Sequence, residues 1–258
     1  FFGAGAVFCK MYNERSFKRY VINDKNHYLM EIYNTIKQPL SYTIFIKYLK
    51  QIESEYIILT KEERKSYYYD TRNSYFKLEL ARNNKCEVDY NVYCVSILYF
   101  LMKTSFNGLW QPMKTKGGLF GTAFGLGNEK QLFEYDLIKL WHEALKIVDI
   151  KSVDYSQIDI PDNSLIYCDP PYIDNTVTYG EEDFNTNELL KWCQEKSERN
   201  SVFMSNRHLK SSYYEVFCNY TKKQVFEVFY TGGKKKERNK KEVLITWKKE
   251  ISPIAIAA

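Results

Sequence analysis

No apolar run in this 258-residue chain approaches the ~20 residues a membrane-spanning helix needs, so no membrane partner is expected. No signal-peptide pattern is visible either. The six cysteines (Cys9, Cys86, Cys94, Cys168, Cys193 and Cys218) form no Cys-x-x-Cys pair and no zinc-like spacing. That excludes a disulfide framework and a thiolate metal centre, and leaves scattered reduced thiols of an intracellular protein. His27, His142 and His208 lie far apart, and none is expected to ligate a metal. Charge is also short of an extreme: 37 basic against 32 acidic residues give a net +5, which permits a polyanionic partner without demanding one. What the chain does have is rings, 23 tyrosines and 16 phenylalanines, so these must supply much of any core. The length fits one large domain, or a catalytic domain carrying a smaller insert.

The most informative residues are Asp169-Pro170-Pro171-Tyr172. They follow Ser164-Leu165-Ile166-Tyr167-Cys168, an apolar run that predicts a short buried strand. Ligands of open α/β sheets bind where such strands open into loops. The set suits attack by an exocyclic amino group of a planar base, a poor nucleophile because its lone pair is delocalised. A carboxylate and a proline-fixed backbone carbonyl accepting its N–H groups draw the lone pair back onto nitrogen. The tyrosine offers a face on which the base can stack. A plain turn is the competing reading, since Asp-Pro-Pro also ends strands.

The chain opens Phe1-Phe2-Gly3-Ala4-Gly5-Ala6-Val7-Phe8, which suits a tight turn feeding a helix whose N-terminus faces a ligand. About twenty residues on, Arg19-Tyr20-Val21-Ile22-Asn23-Asp24 is a β-branched run ending in an acid, the spacing of a carboxylate that bonds a ribose diol. Asp24 could equally cap the helix starting near Asn26, and the two roles are compatible.

Residues 1 to about 45 read as loop, helix, strand, helix. From about 46 to 130 the chain is helical and aromatic, with helical spacing at Ile46 to Tyr56 and Val92 to Met102. A helical block between two α/β stretches predicts a separate lobe. It ends in the basic loop Lys114-Thr115-Lys116-Gly117-Gly118, either a recognition element or a solvated hairpin. The α/β pattern resumes from about 131: a helix over Leu132 to Leu145, an extended stretch at Ile147 to Ile150, strands at Ser201 to Asn206, Gln224 to Tyr230 and Val243 to Trp247. The last two are joined by a charged loop, Lys234 to Lys241, either solvated or lying beside a phosphate backbone.

In their order, these motifs resemble the Dam-type family of S-adenosylmethionine-dependent DNA adenine-N6 methyltransferases. The resemblance rests on Phe1 to Phe8, Asn23-Asp24-Lys25-Asn26, the helix Leu29 to Lys37, Phe106-Asn107-Gly108-Leu109-Trp110, Tyr167 to Tyr172, Ser205-Asn206 and Glu242 to Ile245. It implies a Rossmann-like, mixed but mostly parallel sheet flanked by helices. Residues 1–45 and 131–258 would form the catalytic domain and 46–130 an inserted, mainly helical DNA-recognition lobe. It implies S-adenosylmethionine as cofactor, contacted by Phe1, Gly3, Gly5, Asp24, Asp154 and Tyr155, the last two at the adenine; an ordinary loop acid is the other reading of Asp154. Asp169, Pro170, Pro171 and Tyr172 would be catalytic. Asn107, Lys114, Lys116, Lys234, Lys235, Lys236 and Arg238 would meet double-stranded DNA. A monomer in a bacterial, phage or viral host compartment where DNA is accessible is expected.

Two departures stand out. The chain begins at a phenylalanine inside the first motif, so a trimmed chain or fragment is expected. After Trp110, where the family has Arg-x-Asn and later Phe-Asn-x-Pro-Phe-Gly, this chain has Gln111-Pro112-Met113 and Phe120-Gly121-Thr122-Ala123-Phe124-Gly125. A GATC target therefore does not carry over. Three alternatives stay open: an N4-cytosine methyltransferase, disfavoured because such enzymes more often lead with Ser; a catalytically impaired nucleic-acid-binding relative; and a nicotinamide-dependent dehydrogenase, which leaves Asp169 to Tyr172 unexplained.

Overall fold

The computed structural model describes residues 1–82, 87–125, 131–172, 184–208, 220–229 and 239–247. It is a mixed α/β protein whose chain divides into two compact units: Phe2–Val153, and Asp154–Ala258 together with Phe1.

In the first unit the glycine loop leads into α1 (Ala6–Glu14), followed by β1 (Tyr20–Asn23) and α2 (His27–Lys37). Asn26 caps α2, its side chain accepting from the backbone N–H of Leu29. Three long helices follow, α3 (Pro39–Ile57), α4 (Lys61–Arg82) and α5 (Val88–Thr104). α3 buries Phe45, Leu49, Ile52 and Tyr56, one stripe at helical spacing. α4 starts at a reciprocal box: the Thr60 hydroxyl accepts from the Glu63 N–H, and the Glu63 carboxylate accepts from the Thr60 N–H at 2.8 Å. α5 is apolar around most of its circumference and is the element on which α2, α3 and α4 pack. A short hairpin, β2 (Pro112–Met113) with β3 (Leu119–Phe120), turns through Lys114–Lys116 and two positive-φ glycines.

The predicted helix over Leu132 to Leu145 begins later, as α6 (Tyr135–Leu145). The N–H groups of Leu132 and Phe133 are held instead by the Glu53 carboxylate, at 2.7 and 3.2 Å, and both side chains are buried. β4 (Val148–Lys151) then pairs in parallel with β1. The Asn23 side-chain amide and the Val153 backbone exchange two hydrogen bonds of 3.0 Å just past that ladder. As the composition requires, the core is ring-rich: Tyr56, Tyr68, Tyr75, Phe45, Phe100, Phe120 and Phe133 are among its largest fully buried side chains.

The second unit holds β5 (Leu165–Cys168), α7 (Thr186–Lys196), β6 (Ser201–Arg207), β7 (Lys222–Phe229) and β8 (Asn239–Trp247). They form a four-stranded sheet in the order β5-β6-β8-β7. β5 and β6 are parallel and joined through α7, while β8 runs antiparallel to both its neighbours. Leu189, Leu190 and Cys193 of α7 pack with Val202, Met204, Val243, Ile245 and Trp247 of the sheet. Asn239, Lys240 and Lys241, expected in the charged loop, are the first residues of β8, paired with Phe229, Val228 and Glu227.

Of the expected mixed, mostly parallel sheet, strand pairing among the described residues gives smaller pieces. Among the described residues there are two parallel ladders, β1–β4 and β5–β6, in separate sheets, and the other pairings are antiparallel. No helix among the described residues is long and apolar enough to cross a membrane.

Candidate active site

The glycine loop in the first unit is built around Asp24, which follows β1. Its Oδ2 accepts from the backbone N–H groups of Phe2 and Gly3, at 2.9 and 3.0 Å, and its Oδ1 from Asn26 at 2.9 Å. A carboxylate offers about four acceptor directions, and the neighbouring backbone takes three of them. Asp24 is thus not the cap of α2; that role falls to Asn26, and Asp24 instead ties the loop to the end of β1. The Tyr33 hydroxyl donates to the Gly3 carbonyl at 3.0 Å, a second tie from α2. Burial pushes the Tyr33 phenol far above the ordinary tyrosine range, so it stays a donor.

Gly3 and Gly5 have φ of +55° and +75°, where a side chain is strained. They face different surroundings. A Cβ on Gly5 would lie 2.7 Å from Trp141 Cη2 and 2.8 Å from Phe2 Cζ, whereas one on Gly3 would meet nothing within 4 Å. Gly5 serves packing and the start of α1; Gly3 has the open face over which a ligand can approach the backbone.

In the second unit, Asp154 caps a short turn by accepting from the Ser156 N–H at 3.0 Å and the Ser156 hydroxyl at 2.6 Å. Next to it Tyr155 sits in an aromatic group, its ring centroid 5.5 Å from Phe1, 5.3 Å from Trp192 and 6.4 Å from Phe184. Burial, then the Asp154 charge, pushes the Tyr155 phenol up to about 12.

Asp169-Pro170-Pro171-Tyr172 leaves the carboxyl end of β5, as the sequence predicts. The Asp169 side chain is exposed, Pro170 is buried, and Pro171 and Tyr172 are half-buried. One carboxylate oxygen, Oδ1, accepts from the Ser205 hydroxyl of β6 at 2.6 Å. Ser205 in turn accepts from the Tyr167 hydroxyl at 3.0 Å. The Tyr172 hydroxyl donates to Glu242 of β8 at 3.4 Å. Burial raises the Tyr172 phenol well beyond the ordinary range; the nearby Asp169 and Glu242 charges act the same way and the Ser205 contact opposes them.

Tyr33, Tyr167, Ser205 and Glu242 were not among the expected site residues. Ser205 carried a legible signal, a polar residue closing an apolar strand; Tyr33 and Tyr167 did not, being two among many tyrosines.

Of the residues expected at DNA, Asn107 is exposed in a left-handed conformation, φ 56°, and Lys114 and Lys116 are exposed on the hairpin turn. Lys116 Nζ also lies 5.9 Å from the Phe76 ring centroid. Lys234, Lys235, Lys236 and Arg238 lie outside the described residues. Among those described, no group of three or more His, Cys, Asp or Glu side chains could hold a metal ion.

The sequence model of the D12 class N6 adenine-specific DNA methyltransferases matches residues 1–213. The type II methyltransferase M.MjaIII of Methanocaldococcus jannaschii is 29% identical over 198 residues, 74% of this chain and 65% of that protein. A DNA adenine methylase of Vibrio cholerae is 28% identical over 175 residues, 67% of this chain and 54% of its own length. The chain therefore spans between about half and two thirds of these relatives.

Proposed function

From a chain that belongs to the D12 class of N6 adenine-specific DNA methyltransferases, we propose transfer of a methyl group from S-adenosylmethionine to N6 of an adenine flipped out of double-stranded DNA. The observation that carries the reading is the exposed Asp169 carboxylate at the carboxyl end of β5, one oxygen tied down by Ser205, followed by a buried proline and, two residues on, a half-buried tyrosine.

The glycine loop suits such a cofactor: Gly3 leaves its face open, and Asp24 and Tyr33 hold the loop in place before a ligand arrives. Gly3, Gly5 and Asp24 are proposed to hold the cofactor's ribose and amino-acid end, and Phe1, Asp154 and Tyr155 its adenine. The bound cofactor supplies a methyl group already activated on a sulfonium. Asp169 accepts a hydrogen bond from the acceptor amine and stabilises the positive charge that develops on nitrogen. Tyr172 stacks on the extruded base and offsets part of its unstacking cost. Residues 1–45 and 131–258 are assigned to a catalytic domain of Rossmann-like type. Residues 46–130 are assigned to DNA recognition, with Asn107, Lys114 and Lys116 at the duplex and the 234–238 cations at its phosphates.

The experiment is methylation of duplex DNA with methyl-labelled S-adenosylmethionine, followed by nucleoside analysis. Label in N6-methyladenosine supports the proposal. Label in N4-methylcytosine replaces it with the cytosine alternative, and cofactor binding without any transfer replaces it with an impaired, DNA-binding relative.

A further inference from the structure

Ser205 touches the central carboxylate yet has no role in the chemistry above. We propose that Ser205 is a positioning residue for methyl transfer: oriented by Tyr167, it fixes Asp169 so that Oδ2 is the oxygen that meets the acceptor amine. This rests on the reading of Asp169 as the group facing that amine.

The parallel register makes the contact a product of the fold. Tyr167 pairs with Phe203 and Cys168 with Met204, so the next step along both strands sets Asp169 opposite Ser205. Ser205 is only 8% exposed and sits where the strands end, with its hydroxyl under the exposed carboxylate.

A hydroxyl has one proton to give. Several oxygens near Ser205 Oγ could take it: Asp169 Oδ1 at 2.6 Å, the Cys168 carbonyl at 3.4 Å, and the hydroxyls of Tyr167 and Tyr172. The short contact to an ionised acceptor is the stronger, so the proton goes to Asp169. Tyr167 donates to the same oxygen at 3.0 Å, which leaves Ser205 its own proton for the carboxylate. The donors run in one direction, Tyr167 to Ser205 to Asp169, and each bond polarises the next.

The consequence is orientational. The terminal torsion of an aspartate is broad and lets its two oxygens exchange places. With Oδ1 held by a buried hydroxyl, the carboxylate presents Oδ2 in one orientation, and an acceptor amine meets the same geometry at each encounter. Errors of about 1 Å in such placement cost on the order of a hundredfold in rate.

Ser205→Ala, Ser205→Thr, Tyr167→Phe and the double variant Tyr167→Phe/Ser205→Ala test this. The double variant removes the tyrosine hydroxyl that the single alanine leaves without its acceptor, and so separates lost positioning from lost stability. Single-turnover methylation of adenine-containing duplex at saturating S-adenosylmethionine reads the rate. The Asp169 side-chain carboxyl ¹³C resonance, assigned through Asp169→Asn, reads the contact without any turnover.

Ser205→Ala and the double variant should slow transfer by roughly 10–100-fold, leave cofactor affinity unchanged and move the Asp169 resonance. Ser205→Thr should restore both, and Tyr167→Phe should fall between. Parental rates in Ser205→Ala, or an unmoved resonance, overturn the proposal. So does a folded Ser205→Thr that fails to restore the rate. If the parent methylates nothing, the functional reading falls, and the resonance alone decides whether Ser205 holds Asp169.

Discussion

Gly3 and Gly5 share a left-handed backbone but should answer differently to the same substitution. Gly5→Ala meets two penalties. The positive φ costs an L-residue about 1–2 kcal/mol. The new methyl also meets Trp141 Cη2 and Phe2 Cζ, at 2.7 and 2.8 Å. These are ring tips, but neither ring can swing away cheaply. Phe2 stands edge-on to Tyr33 at 5.0 Å, and Trp141 is stacked on Phe8 at 5.6 Å. Overpacking of that kind costs about 1–3 kcal/mol, so Gly5→Ala should lose roughly 2–5 kcal/mol in all. Gly3→Ala meets only the backbone penalty, about 1–2 kcal/mol. Its methyl, however, enters the space assigned to the cofactor. Urea unfolding followed by circular dichroism, with titration calorimetry against S-adenosylmethionine under conditions where every variant is folded, reads both effects. Gly5→Ala should show the larger loss of stability, and Gly3→Ala a clear loss of affinity from a nearly parental fold. Equal stability losses would refute the packing argument. Parental cofactor affinity in Gly3→Ala would refute the assignment of the loop.

Asp24→Ala should weaken S-adenosylmethionine binding by at least the ~1.5–3 kcal/mol of a hydrogen bond to a charged group, and should speed amide exchange at Phe2 and Gly3, which Asp24 holds; parental exchange would remove it from the loop. Tyr33→Phe removes the bond to the Gly3 carbonyl and should cost about 1 kcal/mol, measured as a shift in the urea midpoint. Asp169→Ala should slow transfer a hundredfold or more, on the order of 3 kcal/mol, while sparing cofactor affinity; a parental single-turnover rate would reduce the motif to a turn. Neutralising Lys234, Lys235, Lys236 and Arg238 should weaken DNA binding and flatten its salt dependence, by up to about 3–4 in logarithmic slope if each meets a phosphate, with site preference intact. An unaltered slope would make this run a solvated hairpin.

The elements most legible in the sequence are those whose stabilisation is local. α3 shows its buried stripe in the spacing of Phe45, Leu49, Ile52 and Tyr56, and β5 shows as an apolar run stopped by Asp169-Pro170-Pro171. Where a distant side chain decides, the pattern misleads. Leu132 and Phe133 continue the apolar spacing of α6, but Glu53, some eighty residues earlier, takes their N–H groups and keeps them out of the helix. Lys240 and Lys241 look like loop because charge runs are usually solvated, yet they lie on a strand beside the sheet's edge, paired across to Val228 and Glu227. Ser205 belongs with these: its identity is visible in the sequence, but its contact with Asp169 exists only through the parallel register of β5 and β6.

Asp24 carries the same point to function. Its spacing from the glycines makes it a proposed ligand-binding acid, and an isolated carboxylate at that place would do no more than await two hydroxyls. In the folded chain the acid also takes the N–H groups of Phe2 and Gly3, the residues that open the loop. Loop and acid are therefore one device: the carboxylate holds the glycine backbone in its left-handed turn, and the turn keeps Gly3 open to a ligand. A ligand that binds there meets a loop whose ordering entropy is already spent in folding. Asn in place of Asp24 keeps the shape but gives up the charge and one acceptor, so Asp24→Asn should loosen the loop and weaken the cofactor together. Amide exchange at Gly3 and the dissociation constant should rise in step across Asp24→Asn and Asp24→Ala. A variant that loosens the loop at full affinity would separate the two functions and refute the coupling.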